Sequence, residues 1–184
     1  NPPRHHGYSV VDAIKAMHMS SGKVFFAMGG NFISATPDTE YTAQALRNCS
    51  LTVHVSTKLN RSHLIHGQQA LILPCLGRTD IDLQHGAQQF VSVENSMGVV
   101  HSSQGILEPC SEHLLSEPAI VAGLAKATLG SRSKIDWDKM ISNYDHIRDA
   151  IEAVIPGFED FNKRIREPGE FYLPNGAREQ QFNT

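Results

Sequence analysis

What this sequence lacks narrows it first. Of 184 residues only three are cysteine (Cys49, Cys75 and Cys110), widely spaced and with no CxxC pair. That spacing argues against a disulfide framework or a thiolate metal site and for buried, inert thiols in a reducing cytoplasm, so a cytoplasmic location is expected. No apolar run approaches the length needed to cross a bilayer, and the longest, VFFAM and ALILPCL, are strand-sized. The net charge is −3, so no basic excess directs the chain to nucleic acid or to an anionic membrane. Residues 1–8 (NPPRHHGY), polar and proline-rich, do not read as a signal peptide. A Walker sequence, a nucleophile elbow, a paired-carboxylate signature and the full GxGxxG are all missing. The chain is expected to bind rather than to carry a catalytic set of its own, with no catalytic residue and no metal ligand.

What is present describes an ordinary globular chain: 40% hydrophobic and 19% charged residues exclude disorder. It starts at Asn1-Pro2-Pro3 without methionine and stops at residues 179–184 (EQQFNT). We expect an excised piece of a larger polypeptide.

Residues 9–17 show helical spacing at Val10, Val11, Ile14 and Met17, with Ser9 as N-cap and Asp12 at N3. Residues 23–28 are a continuous apolar run, as in a parallel strand buried on both faces. Thr36-Pro37-Asp38 reads as N-cap, first-position proline and first-turn acid of a helix reaching about Asn48. Residues 51–55 form the next strand, 61–66 a short helix closed by Gly67, and 70–73 (ALIL) a third strand stopped by Pro74. This alternation predicts βαβ units with right-handed crossovers.

Residues 90–93, 95–98 and 99–101 read as extended segments around a turn. Residues 116–129 form a helix with Ile120, Val121, Leu124 and Ala125 on one face and Gly130 at its C-terminus. Asp136 caps a helix with apolar positions from Met140 to Ile155, ended by Pro156-Gly157. A short helix over 158–165 and an extended tail over 167–176 follow. The expected fold is α/β, a doubly wound, Rossmann-like, mostly parallel sheet with helices on both faces plus a helical C-terminal extension. Residues 1–130 make the cofactor-binding domain, and 131–184 the extension and tail packed on it.

Gly29-Gly30-Asn31 ends the first strand, where open α/β sheets bind ligands and glycines admit a phosphate or ribose. A tight turn with no ligand fits the pattern equally well. Ser56, Thr57, Lys58, Asn60 and Ser62 follow the second strand in a donor-rich loop, which also reads as plain solvated surface. If both loops serve one ligand they must lie side by side. Ten histidines raise a metal reading. His5-His6 is adjacent, and His63 with His66 at i, i+3 could share a face, but no third ligand is marked by spacing.

Residues 25–39 (FFAMGGNFISATPDT), 55–64 (VSTKLNRSHL), 71–77 (LILPCLG), 93–101 (VENSMGVVH), 155–161 (IPGFEDF) and 171–177 (FYLPNGA) resemble the molybdopterin oxidoreductase alpha subunits, in the formate-dehydrogenase-like branch often called YdeP-like. The resemblance implies a parent enzyme with molybdenum bound by two molybdopterin guanine dinucleotides, an iron–sulfur (4Fe-4S) cluster outside this piece, and a small-molecule substrate. This chain would hold the guanosine-diphosphate part of one pterin, be enclosed by other domains of the same polypeptide, and be inactive alone. Gly29, Gly30, Asn31 and Ser34 map to the cofactor-contacting turn. Ser56, Thr57, Lys58, Asn60 and Ser62 map to the guanosine loop, with Thr57 standing where many members carry an acid. Asn95, in a segment matching a family stretch of the type TNxEGR, is implied near the pterin or a domain interface, with a backbone turn as the plainer reading. A stand-alone nucleotide-binding or interaction module without redox activity is the alternative.

Overall fold

The computed structural model describes residues 7–176, so His5-His6 and the two chain ends lie outside the described residues. The chain divides into two compact units, the first running through Cys75 and the second beginning at Leu76.

The first unit opens with α1 (Val10–His18), whose N-cap Ser9 accepts from the Asp12 amide. Ile14 and Met17 are buried, whereas Val10 and Val11 of the expected apolar stripe are exposed. Next come β1 (Val24–Met28), α2 (Phe32–Ala35), α3 (Thr39–Arg47) and β2 (Leu51–Ser56). A 3-10 turn, Arg61–Leu64, then leads to β3 (Gln69–Pro74). The three strands form one parallel sheet in the order β1-β2-β3, with Phe26 opposite Val53 and Val53 opposite Leu71. The parallel α/β reading therefore holds.

Three expectations need correction here. β1 is an edge strand with alternate residues exposed, not one buried on both faces. Its apolar run is explained by sheet position only for Phe25 and Ala27, which face the helices. The cap of α3 is Asp38, whose carboxylate accepts from the Tyr41 amide at 2.9 Å. Thr36 instead ends α2, and its hydroxyl donates to Thr42 Oγ1 at 3.0 Å. Gly67 does not close a helix. A Cβ there would sit 2.3 Å from the Cys49 carbonyl oxygen, so only glycine permits the approach that lets its amide donate to Thr52 Oγ1.

The unit's core gathers Ile14, Met17, Ile33, Ala43, Leu46 and Cys49 against Phe25, Phe32 and Ile65. α1, α2, α3 and the end of the 3-10 turn thus pack on the sheet face that carries Phe25. Burial of this kind contributes about 1.5–3 kcal/mol per large apolar side chain.

The second unit carries a two-residue ribbon, β4 (Leu83–Gln84) with β5 (Ala87–Gln88), and a hairpin of β6 (Val91–Glu94) with β7 (Val99–Ser103). Helix α4 (Glu117–Leu129) follows, capped by Ser116. Only Ala122 of α4 is buried, and Val121 and Leu124 of its expected apolar face are exposed. The single long helix expected from Asp136 is two, α5 (Trp137–Ser142) and α6 (Asp145–Glu152). They part because Tyr144 turns inward: its hydroxyl donates to Asp82 at 2.5 Å and lies 2.6 Å from Ser116 Oγ. Burial first, and the Asp82 carboxylate second, push the Tyr144 phenol well above its usual range. α7 (Phe161–Arg164) and β8 (Phe171–Tyr172), paired with β7, complete a small aromatic core around Phe161.

Candidate functional site

The candidate site belongs to the first unit, at the carboxyl ends of β1 and β2. Gly29 extends the sheet ladder by donating to the Val55 carbonyl at 2.8 Å. Gly29 and Gly30 then take φ of +67° and +71°, and a Cβ built on either meets nothing within 4 Å. The glycines are required by backbone conformation, and the space above them is open. Any side chain at these angles would carry roughly 1–2 kcal/mol of strain.

The structure brings the two expected loops together, 30 residues apart in sequence. The Asn60 side-chain amide donates to the Gly30 carbonyl oxygen at 2.8 Å. Ser62, fully buried, donates its hydroxyl to Asn31 Oδ1 at 2.9 Å and accepts from the Ile33 amide at 3.0 Å. The last bond explains a local oddity: Asn31 is the N-cap of α2 yet its side chain makes no capping bond. Ser62, from the other loop, satisfies the amide that an N-cap side chain ordinarily takes. Asn60 in turn organises its own loop. Its Oδ1 accepts from the Ser62 amide, and its own amide donates to His63 Nδ1 at 3.0 Å, a reciprocal capping box.

The remaining expected residues divide by place. Ser56 accepts no partner from the first loop; its hydroxyl donates to the Lys58 carbonyl at 2.8 Å, tightening the loop. Thr57 and Lys58 are exposed, and so is Ser34 on α2. Asn95 lies in the second unit at the β6–β7 turn, where its Oδ1 accepts from the Met97 and Val99 amides.

His63 and His66 do not share a helical face, because the 3-10 turn ends at Leu64 and His66 Nδ1 pairs with the Gly67 carbonyl. Instead the His63 ring lies against that of His54 of β2, tilted by 39° with ring centroids 4.7 Å apart. The Nε2 atoms of both rings are buried without a partner. Burial first, and His63 second, lower the His54 pKa from its ordinary value, which favours the neutral ring. Sequence reasoning missed this pair. The signal for His63 was its position three residues after the capping Asn60, where a capping box places a reciprocating side chain. Among the described residues no group of three or more His, Cys, Asp and Glu side chains is placed to hold a metal ion. No helix of the described residues is long and apolar enough to cross a membrane.

Chemically, this is a bare backbone turn facing open space, and two asparagines and a serine keep the flanking loops in register. No family model matches the chain. It is 53% identical, over 183 residues and 99% of its length, to a Mycobacterium tuberculosis protein named uncharacterized oxidoreductase Rv2900c. A Mycobacterium bovis protein named uncharacterized oxidoreductase Mb2924c matches equally. The Escherichia coli protein YdeP is 45% identical over 183 residues. The likeness to the YdeP-like group read from the sequence blocks therefore extends over the whole chain. The chain spans only 24% of the length of each of these relatives.

Proposed function

We propose that this chain is an interior part of a molybdopterin-dependent oxidoreductase, in which it holds the guanosine-diphosphate portion of a molybdopterin guanine dinucleotide. The reading rests on one observation: the loops after β1 and β2 are locked together by Asn60 on Gly30 and Ser62 on Asn31, at the carboxyl end of a parallel sheet. Ligands of open α/β sheets bind at such ends. Relatives named as oxidoreductases support a redox enzyme as the parent.

The residues present fit the cofactor. Gly29 and Gly30 leave the backbone of the turn bare toward open space, and the loop over 56–62 offers hydroxyl, amide and ammonium groups beside it. The cofactor supplies electron transfer at molybdenum when bound, and the chain's own work is to bind and orient it. Lys58 would neutralise phosphate charge, Ser56 and Thr57 would meet the nucleoside, and Asn31 and Asn60 would hold the turn open. Other domains of the same polypeptide, a 4Fe-4S cluster outside this chain, a cytoplasmic location and a formate-type substrate belong to the same proposal.

Elemental analysis of the parent polypeptide, with release of GMP on acid treatment, tests it. Molybdenum and GMP in a 1:2 ratio are expected, as in a bis-dinucleotide site, and Gly30→Val is expected to remove most of both while the fold persists. A purified parent with neither, or full retention in Gly30→Val, refutes the reading.

A further inference from the structure

His63 binds the residue that joins the two loops. The Asn60 amide donates to His63 Nδ1 at 3.0 Å. A backbone N–H can only donate, so Nδ1 carries a lone pair and the one ring proton of neutral His63 sits on Nε2. That Nε2 is buried without a partner, and the Nε2 of the adjoining His54 ring is buried without one too. Two acceptors also lie near Nδ1: Asn60 Oδ1 at 3.2 Å and the Asn60 carbonyl oxygen at 3.3 Å. The same Oδ1 accepts from the Ser62 amide, and Nδ2 of the same carboxamide donates to the Gly30 carbonyl oxygen.

A second ring proton on His63 can go only to Nδ1. It turns the acceptor into a donor that faces the Asn60 amide, and that bond is lost. The acceptors left within reach both belong to Asn60. A carboxamide is one rigid plane, so drawing Oδ1 onto the new N–H swings Nδ2 off Gly30. The charged ring would also keep a buried Nε2–H with no acceptor, and a buried charge without partners is costly. Its surroundings do not offset that charge. From β2 the ring meets His54, which is 5% exposed and a base itself. From β1 comes Phe25, edge-on to His54 at 5.8 Å. Gly30 and Asn31, reached through Asn60 and Ser62, are neutral. Arg61 and Leu64 of its own turn line a cavity against α3 with Glu40 and Arg47, and His63 does not line it. Among the described residues no ion pair involves His54 or His63. His54 resists the proton as well, since burial, and then His63, lower its pKa. A metal ion on His63 Nε2 would need that nitrogen stripped of its proton while Nδ1 still accepts, so the pair suits a proton rather than a metal.

We propose that His63 is a proton-operated release for the glycine turn: protonation at Nδ1 breaks the Asn60–His63 bond, draws the Asn60 side chain off Gly30 and parts the loop after β2 from the loop after β1. The clasped form excludes the proton and the parted form takes it up from solvent. Acid therefore favours parting, by up to about tenfold per pH unit for one proton. That parting would free a bound ligand rests on the reading of this turn as a binding site. The movement itself needs no ligand.

Hydrogen exchange of the full natural polypeptide tests it, read by mass spectrometry between about pH 8 and pH 5, with exchange times scaled for the intrinsic pH dependence of amide chemistry. In the wild type, opening of the peptides covering residues 29–35 and 57–65 is expected to rise together, by about threefold to tenfold per pH unit over part of that range, while the strand peptide 51–56 stays protected. His63→Asn puts a non-titrating acceptor, its Oδ1, in the place of Nδ1 and is expected to keep both loops closed at every pH. Four results overturn the proposal: a flat wild-type profile, opening of one loop without the other, opening matched by loss of protection in 51–56, or a folded His63→Asn that responds to pH as the wild type does. The wild-type profile can refute it even where His63→Asn fails to fold. Molybdenum and GMP are measured on the same samples. A polypeptide with neither, whose loops still part together in acid, sinks the cofactor reading and leaves this one standing, and one with both whose loops ignore pH does the reverse.

Discussion

Ser62 is the residue on which the two loops depend, and removing its hydroxyl is the sharpest perturbation of the site. Ser62→Ala leaves the side-chain volume nearly unchanged, so the effect is that of the lost bonds. The buried Ile33 amide loses its only side-chain acceptor, and Asn31 Oδ1 loses its donor. An unsatisfied buried donor costs about 1–3 kcal/mol, and the second bond, with a more exposed partner, about 0.5–1.5 kcal/mol. The expected loss is about 2–4 kcal/mol, measured by urea denaturation and by hydrogen exchange at the Ile33 amide, which should lose its protection selectively. Ser34→Ala, on an exposed position of the same short helix, is expected to cost less than about 0.5 kcal/mol. A Ser62→Ala loss no larger than that of Ser34→Ala, or an Ile33 amide that exchanges as in the wild type, would show that the loops are not held by this bond. In the double mutant Asn31→Ala/Ser62→Ala the two effects should fall short of additive, as they do for partners in one network.

Three further outcomes follow from the geometry. The His54 pKa is lowered in the folded chain, so the unfolded chain takes up the proton first; stability should fall as pH drops below the ordinary value of 6.5 and level off once pH is below the folded value. His54→Gln should flatten a plot of denaturation midpoint against pH in that window, and an unchanged slope would refute the assignment. Arg148, almost fully buried, bonds Asp145 and the Phe90 carbonyl and lies over the Phe90 ring. Arg148→Ala strands Asp145 with only Arg166 and should cost about 3–5 kcal/mol in thermal or urea unfolding, as breaking a buried pair does. Glycine substitutions should separate by sign. Gly67→Ala forces a Cβ to 2.3 Å from the Cys49 carbonyl and should destabilise by about 1–3 kcal/mol or more. Gly123→Ala, inside α4 with open space around it, should stabilise by about 0.5–1 kcal/mol.

The elements most legible in the sequence were those whose local chemistry was self-sufficient. Ser9 and Asp136 were readable as caps because an N-cap needs only its own following turn, and each accepts the expected amide. The strands at 24–28, 51–56 and 69–74 were readable from short apolar runs between turn residues. The cap reading failed at Thr36: its hydroxyl is engaged with Thr42, six residues on, and Asp38, read as a first-turn acid, accepts the Tyr41 amide instead. The 136–155 helix broke for a similar reason, since the inward bond of Tyr144 to Asp82 spans 62 residues and leaves no trace in helical periodicity.

The sequence by itself determined the alternation of strands and helices, the glycine turn after the first strand and the donor-rich character of the loop after the second strand. These depend on steric limits and bonding groups that each residue carries with it. Only the tertiary structure decided that Asn60 and Ser62 reach back to Gly30 and Asn31, that His63 meets His54 rather than His66, and that β1 is outermost among the described strands with alternate residues exposed. An apolar run records how much surface a strand must bury. Which of its faces is covered depends on the direction in which the chain winds, and that is set by segments far from the strand.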